Sequence, residues 1–391
     1  MQSGKRLPLY FIMTALMWYS LYTYVPFLTA YADIDLKAGF VLAGLIAGSY
    51  GFTQMVIRIP LGIVSDLLKK RKIFISAGMA VSAASGLGMY FFQNPFALLV
   101  FRSLSGVSAA VWVIVAVLFA SYFKPGESVK AIGYVNAANT FGTVTGLLTG
   151  GLLANAFGTR STFLLGAGAG FAAFLLSFWI IENREIKKEP LRIKDMAAVS
   201  KNKLLLCASA FALLSQYIVF TTAYGFTPVL VRGLTGGNFN MSMVSVCAAL
   251  PGLALGPLTG TVLHKKLGPA KTVMIGFFIA GASCIAMPYC TEVYALFIAQ
   301  FFGGAGTVTV YTMLAGLSVR GVEESKRATA MGFFQAVYGL GMFIGPFFAG
   351  IVSENFGLNA AFVVTGCVGL AAFAAAGITM PKIVKKNISE A

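Results

Sequence analysis

Twelve apolar runs, each about 20 residues long, constrain the fold of this chain more than any other feature of its sequence. A helix needs about 20 apolar residues to cross the hydrocarbon core of a bilayer. Only 11% of the 391 residues are charged, whereas a soluble domain carries about 25%. The sequence therefore predicts an all-α polytopic membrane protein with 12 transmembrane helices. The predicted spans are 8–31, 38–66, 73–92, 96–122, 131–155, 161–182, 204–230, 240–263, 272–290, 293–318, 328–353 and 360–381.

One long polar segment, 183–203, divides the spans into two groups of six. The two groups repeat in parallel, since Gly62 in the second span corresponds to Gly260 in the eighth, 198 positions later. We therefore predict two pseudo-symmetric six-helix bundles, at 1–182 and 204–391, joined by a linker on the cytoplasmic side.

The fifth and eleventh spans carry the same glycine pattern. Gly142 and Gly146 correspond to Gly341 and Gly345, at an offset of 199 residues, and Pro346 follows directly in the second copy. Small residues at this spacing leave one helix face bare, so that a neighbouring helix can approach closely. We predict that these five residues form gating contacts where the two halves slide against each other.

Lysine and arginine predict the orientation in the cytoplasmic membrane. If the N-terminus lies inside, nearly all of the 29 basic residues fall on the inner side, and only Lys37, Arg160 and Arg232 fall on the outer side. Cytoplasmic loops carry such an excess of basic residues, so both termini are predicted to be cytoplasmic. This distribution also explains the net charge of +16 without a nucleic-acid partner.

A second candidate gating motif ends the second span. Gly62 is followed by Asp66 and then by the basic residues Lys70 and Arg71. An aspartate at a helix end can pair with these cations or with the N-terminus of a neighbouring helix. The sequence therefore predicts an electrostatic latch, although basic residues here would also serve simply to fix the topology.

Three motifs together resemble the major facilitator superfamily. Gly62-x-x-x-Asp66 with its basic residues is similar to the family's loop 2–3 signature, and Arg102-x-x-x-Gly106 is similar to its R-x-x-x-G element. The glycine pattern of the fifth span resembles the signature of the drug:proton antiporter branch, with Leu147 in place of its proline. The resemblance covers the whole chain. It implies the major facilitator fold, alternating access and, for this branch, proton-coupled efflux.

Two arginines, Arg58 and Arg102, lie within spans. A charged side chain in the bilayer costs at least ~2.5 kcal/mol and usually faces a partner or a wet cavity. We predict that both arginines bind substrate, while a structural clamp on backbone carbonyls is the alternative for each. The resemblance further implies a role for Arg102 in proton coupling.

All 13 acidic residues fall in loops or at span ends. A proton carrier at the membrane centre would ordinarily be a buried carboxylate or histidine. Asp33, near the outer end of the first span, is the nearest candidate for proton coupling. Proton coupling thus rests on the resemblance and not on the residues themselves.

The other polar groups of the spans are amides and aromatic rings, which suit an amphipathic or aromatic solute in a central cavity. The predicted substrate-binding residues besides the two arginines are Trp18, Tyr22, Gln54, Asn139, Gln216, Tyr217, Gln335 and Tyr338.

The sequence favours a monomeric secondary transporter over an enzyme. It has no phosphate-binding Gly-x-x-x-x-Gly-Lys-Ser/Thr motif, and its five cysteines and one histidine form no metal-ligand pattern, so no cofactor is expected. Two hypotheses stay open: proton-coupled efflux of a small amphipathic or aromatic compound, and uptake or exchange of a small organic anion. A receptor that uses this scaffold without transport is a third.

Overall fold

The computed structural model of the protein describes residues 7–68, 70–123, 128–182, 201–235, 237–320, 322–323 and 326–389. At a few helical positions, including Asp66, it describes the backbone alone. The helices are α1 (Leu7–Tyr22), α2 (Val25–Ala30), α3 (Gly39–Leu68), α4 (Arg71–Phe91), α5 (Pro95–Ala110), α6 (Trp112–Ala120), α7 (Ser128–Phe157), α8 (Arg160–Ser177), α9 (Lys203–Thr221), α10 (Thr227–Thr235), α11 (Asn238–Ala249), α12 (Pro251–Leu258), α13 (His264–Ala286), α14 (Val293–Ser318), α15 (Arg327–Phe356) and α16 (Leu358–Ser389).

Short irregular turns interrupt several of the predicted spans. One-turn π-helices follow α2, α9 and α12, at Tyr31–Asp35, Thr222–Phe226 and Thr259–Leu263. Each extra residue in a π turn shifts the faces of the helix that continues beyond it, and such turns are frequent at functional sites.

The all-α membrane fold is confirmed by the described helices. Ten helical stretches in the described part of the chain are long and apolar enough to cross a membrane. One of them, Asn238–Tyr289, has 52 residues and breaks at Gly268, where φ is +74°. That length suffices for two crossings. Together with the 30 residues of α7, which lie outside the ten stretches, the helices are consistent with the predicted twelve.

The same helix pairings recur on both sides of residues 183–203. In the first half, α7 packs on α1, α8 on α4, α5 on α4 and α5 on α3. In the second half, α15 packs on α9, α16 on α13, α14 on α13 and α14 on α11. This correspondence supports the predicted division into two bundles of related architecture.

The most extensive packing between the halves is that of α3 on α15 and of α7 on α11, and α2 adds contacts with α10 and α11. A Cβ placed on Gly44 would overlap the carbonyl oxygen of Pro346, and one on Gly48 would lie 2.6 Å from the carbonyl oxygen of Phe343. The helices therefore meet backbone to backbone at the end of α3 that is predicted to lie outside.

The structure changes the partner that we predicted for the glycine pattern. Gly142 and Gly146 face the backbone of α1, and Gly341 and Gly345 face the backbone of α9. Each pair therefore packs against a helix of its own half. Among the five predicted residues, Pro346 lies on the contact between halves, because its carbonyl group faces α3. The reason is geometric: one bare helix face admits one neighbour, and the long helices present another face to the opposite half.

In the part of the chain that the structure describes, the opposite end of the molecule is open between the halves. Nothing lies within 4 Å of a Cβ placed on Gly133, Gly256, Gly260 or Gly332. The pronounced contacts of α12 are with α11, α14 and the π turn that follows it, all in its own half. The predicted orientation places this open end in the cytoplasm.

Candidate functional site

Arg58 occupies the point at which the contact between α3 and α15 ends. Its side chain is only 4% exposed. Its Nη1 donates hydrogen bonds to Oε1 of Gln335 at 3.0 Å and to Oη of Tyr338 at 3.3 Å, while Nε is buried without a partner. Since Gln335 and Tyr338 belong to α15, these bonds connect the two halves. We call this set of three residues the Arg58 bridge.

Arg102 is also buried, with 2% of its surface exposed, but its surroundings are aromatic. Its guanidinium lies 4.3 Å from the ring centroid of Tyr50 and 5.7 Å from that of Tyr24. Its Nη1 donates to Oγ of Ser105 at 3.3 Å. A cation over aromatic faces is held by the ring quadrupoles. Arg102 is therefore a buried positive charge that is covered by the rings of Tyr24 and Tyr50.

Neither Arg58 nor Arg102 forms an ion pair with a carboxylate of the described residues. A buried charge is ordinarily paired, because an uncompensated buried charge costs on the order of several kcal/mol. Among the described residues, the positive charges of Arg58 and Arg102 therefore have no compensating carboxylate.

Tyr50 connects Arg102 with Gln54 on the face of α3 that also carries Arg58, and sequence reasoning missed it. It precedes Gln54 and Arg58 by one and two helical turns on the same face of α3. Nε2 of Gln54 donates to Oη of Tyr50 at 3.3 Å, and the guanidinium of Arg102 lies over the ring. The regular step of four residues from Tyr50 to Gln54 and from Gln54 to Arg58 is the signal that could have identified it.

Aromatic rings from both halves meet beside this polar face. The ring centroids of Trp18 and Tyr22 lie 5.8 Å apart, and Trp18 makes an edge contact with Trp112 at 5.3 Å. Tyr22 also makes an edge contact with Tyr224 of the second half at 5.2 Å. Tyr22, Trp112 and Tyr224 are half-buried, so part of each ring stays accessible.

A second group of rings surrounds the Arg58 bridge. Tyr311 lies edge-on to Tyr338 at 5.7 Å, and Phe334 contacts both rings. Tyr50 stacks on Phe220 across the halves, with centroids 6.1 Å apart and planes inclined by 15°. The arrangement is thus a pair of buried positive charges surrounded by aromatic rings.

The structure brings together seven of the ten predicted substrate-binding residues. The contacts described above join Trp18 with Tyr22, Gln54 with Arg102 through Tyr50, and Arg58 with Gln335 and Tyr338. Their binding role stays a prediction.

The other three predicted substrate-binding residues form no described hydrogen bond or ring contact with these seven. Asn139 accepts a 3.4 Å hydrogen bond from Thr143 on its own helix, and Gln216 is half-buried on α9. Tyr217 is 5% exposed and its neighbours include Thr365 of the same half. The spacing of polar residues along α7 and α9 does not specify which neighbouring helix each of these side chains faces.

The predicted latch at the end of α3 is only partly described. Gly62 is buried, Lys70 precedes α4 and Arg71 begins it, while the side chain of Asp66 lies outside the described residues. The described contact at this helix start is instead made by Glu182, whose Oε1 accepts a hydrogen bond from the backbone N of Lys72. A carboxylate at a helix N-terminus is stabilised by the helix dipole.

Polar contacts also connect the halves at the closed end. Asp35 and Arg232 form a bidentate ion pair, in which Nη1 donates to Oδ2 at 2.8 Å and Nη2 donates to Oδ1 at 3.2 Å. The backbone N of Phe40 donates to Oε2 of Glu354 at 2.7 Å. Asp33, the predicted proton-coupling residue, is half-buried at this end, within electrostatic range of Glu354.

The described residues contain no group of three or more His, Cys, Asp or Glu side chains that could hold a metal ion.

The family model of the Major Facilitator Superfamily matches residues 10–288 and 236–390. The chain belongs to this superfamily. The predicted resemblance is confirmed, and the protein is a membrane-embedded, multi-pass transporter of a small molecule. The multidrug resistance protein MdtG of Salmonella schwarzengrund is 27% identical over 312 residues, which cover 77% of this chain and 76% of that protein. MdtG of Salmonella arizonae is 28% identical over the same coverage.

Solved structures show the same fold at lower identity. A bacterial homologue of the human lysosomal transporter Spinster, inward-facing and unoccupied, aligns with a TM-score of 0.80, 15% identity and coverage of 97% of this chain and 98% of that one. The nucleoside transporter NupG aligns with a TM-score of 0.74 and 14% identity, over 96% of this chain and 98% of that one. The human organic anion transporter MFSD10 (TETRAN) aligns with a TM-score of 0.65 and 16% identity, over 96% of this chain and 99% of that one.

Proposed function

We propose that this protein exports small aromatic or amphipathic organic anions by alternating access. One observation carries the proposal: Arg58 and Arg102 are buried at the centre without a carboxylate partner among the described residues. The outward direction is supported by the name of the MdtG relatives, which are multidrug resistance proteins. The fold itself accommodates different solutes, since its solved relatives include a nucleoside transporter and an organic anion transporter.

Electrostatics favour an anion over a cation at this site. At an effective dielectric constant of about 20, a unit charge about 7 Å from a guanidinium interacts with it by about 2 kcal/mol. The term is attractive for an anion and repulsive for a cation, so the two differ by about 4 kcal/mol, or on the order of a thousandfold in affinity. A lipophilic cation is therefore a poor substrate.

The rings determine the rest of the solute. Tyr22, Trp112 and Tyr224 offer partly accessible faces from both halves. Aromatic pairs prefer edge or offset contacts with the ring of a ligand and bury a large apolar area. A planar ring that carries a carboxylate or sulfonate would use these faces and Arg58 together.

The first test is transport in proteoliposomes. We expect the aromatic anion 8-anilinonaphthalene-1-sulfonate to be transported and the lipophilic cation tetraphenylphosphonium not to be. Arg58→Gln should lower anion transport at least about tenfold, because hydrogen bonds to a charged group are the strong ones. Arg320→Gln, which removes an exposed arginine, should stay within about twofold of the wild type.

Transport of the cation by the wild type, unaffected by Arg58→Gln, would refute the proposal. It would favour proton-coupled efflux of cationic drugs, the second candidate, which the MdtG relatives support by name. Asp33 and Glu354 lie at the closed end and not beside Arg58, so we expect an imposed pH gradient to change anion flux little. Gradient-driven export that Asp33→Asn abolishes would establish the second candidate instead.

A further inference from the structure

We infer that the Arg58 bridge ties the two halves together while no anion is bound, so that the protein exchanges one anion for another faster than it moves one alone. The inference rests on the proposed function, because the transported anion is the group that would release the bridge. It assigns Gln335 and Tyr338 to coupling, as positioning residues for Arg58.

The Arg58 bridge lies at the point where the contact between α3 and α15 ends. On one side of it, α3 and α15 are in tight contact, and a Cβ on Gly339 would lie 3.1 Å from Cβ of Met55. On the other side, nothing lies within 4 Å of a Cβ on Gly332. Arg58 is therefore the last described polar link between α3 and α15 before the halves diverge.

The chemistry of the bridge makes it easy for an anion to replace. Both acceptors are neutral, both are served by Nη1, and Nε is buried without a partner. A planar guanidinium matches a carboxylate or sulfonate with two parallel hydrogen bonds. Such charge-assisted bonds are roughly twice as strong as bonds between neutral groups. An anion on Arg58 would thus compete successfully with Gln335 and Tyr338.

The consequence concerns the return of the empty protein. Alternating access requires α3 and α15 to separate at the end that is now closed. If the bridge breaks without an anion, Arg58 is left buried and unpaired, which is the costly outcome for a charge. With an anion bound, the charge keeps a partner. Reorientation should therefore be slower for the empty protein than for the loaded one, on the order of tenfold or more for two bonds to a charged group.

The test compares two fluxes of the same labelled aromatic anion from proteoliposomes. Net efflux is measured into buffer without the anion, and exchange into buffer that contains it. For the wild type we expect exchange to exceed net efflux by about tenfold or more. The double variant Gln335→Leu, Tyr338→Phe keeps Arg58 but removes both acceptors, and its ratio should fall towards one because net efflux rises.

Tyr19→Phe is the control. It removes a tyrosine hydroxyl that is hydrogen-bonded to Thr149 within the first half and forms no described bond with Arg58. Its ratio should stay within about twofold of the wild type. The single variant Tyr338→Phe reports on the same ratio if the double variant fails to fold.

The outcomes separate this inference from the proposed function. Equal net efflux and exchange in the wild type overturn the bridge but leave anion transport standing. Net efflux and exchange that fall together in the variants also overturn it, because the two residues would then act only as substrate ligands. If the wild type transports no aromatic anion at all, the proposed function itself fails.

Discussion

At the scale of single residues, the two buried arginines carry the same charge in different surroundings. Arg58 holds two neutral acceptors of the opposite half, whereas Arg102 lies against rings of its own half. A rigid planar cation can stack on a ring, and the flexible ammonium of lysine cannot do so in the same way. Charge and shape at position 102 can therefore be separated by substitution.

Arg102→Lys should keep most of the affinity for an anion but lower the stability of the protein. The charge remains, while the stacking on Tyr50, typically about 0.5–2 kcal/mol for a cation over an aromatic ring, is weakened. Arg102→Gln should lower both quantities. The measurements are the dissociation constant for 8-anilinonaphthalene-1-sulfonate by fluorescence, and thermal unfolding in detergent. Wild-type affinity in Arg102→Gln would show that Arg102 does not act on the substrate through its charge.

The sequence identified much of the site at this scale because charge and amide groups in a lipid-embedded helix stand out. Arg58, Gln54, Gln335 and Tyr338 were all predicted, and the structure brings them together. Aromatic residues are harder to assign, since a ring suits lipid, a helix interface and a cavity alike. Tyr217 was predicted to line the cavity but packs within its own half, and Tyr50 was missed altogether.

At the scale of helices, the glycine repeat predicted close contact correctly but not its partner. The fifth and eleventh spans do pack backbone to backbone, yet on α1 and α9. Spacing within one helix reports which face is bare. It does not report which of several neighbouring helices lies against that face, because tertiary packing decides this.

Two glycines of α7 test this interpretation against each other. A Cβ on Gly142 would overlap the backbone of Ala15, whereas nothing lies within 4 Å of one on Gly133. Gly142→Ala should therefore destabilise the protein by about 1–3 kcal/mol, the usual cost of overpacking. Gly133→Ala should be neutral or stabilising by up to about 1 kcal/mol, because alanine favours helix.

The measurement is reversible denaturation of each purified variant in detergent micelles. Gly341→Ala, which meets the backbone of Leu213 in the second half, should behave like Gly142→Ala. Equal stability of Gly142→Ala and Gly133→Ala would mean that the close contact between α1 and α7 does not exist as described.

At the scale of the whole molecule, the repeat predicts two related halves but not their relative position. One sequence has to encode both an inward-open and an outward-open arrangement, so the pattern of small residues is present in either. The structure adds the contacts that favour closure at one end: the Asp35–Arg232 ion pair and the bond from Phe40 to Glu354. They are contacts between residues far apart in sequence, which no local spacing reveals.

The Asp35–Arg232 ion pair should bias the protein towards the observed arrangement, but only moderately. The side chain of Arg232 is 24% exposed and that of Asp35 is 37% exposed, and exposed ion pairs contribute about 0.2–1 kcal/mol. Asp35→Asn should therefore increase the outward-open population by about 1.4- to fivefold. High salt should have the same effect on the wild type by screening the pair.

Spin labels at Ile34 and Leu234, which are exposed on opposite halves at this end, would report the populations as a distance distribution. The labels require a background without the five native cysteines. Glu323→Gln is the control, because Glu323 pairs with Lys326 within one half and should not shift the distribution. Exchanging the charges with Asp35→Arg and Arg232→Asp should restore the short distance that either single change lengthens. A pair that closed the end through packing alone would instead give the same distances in all these variants and at every salt concentration.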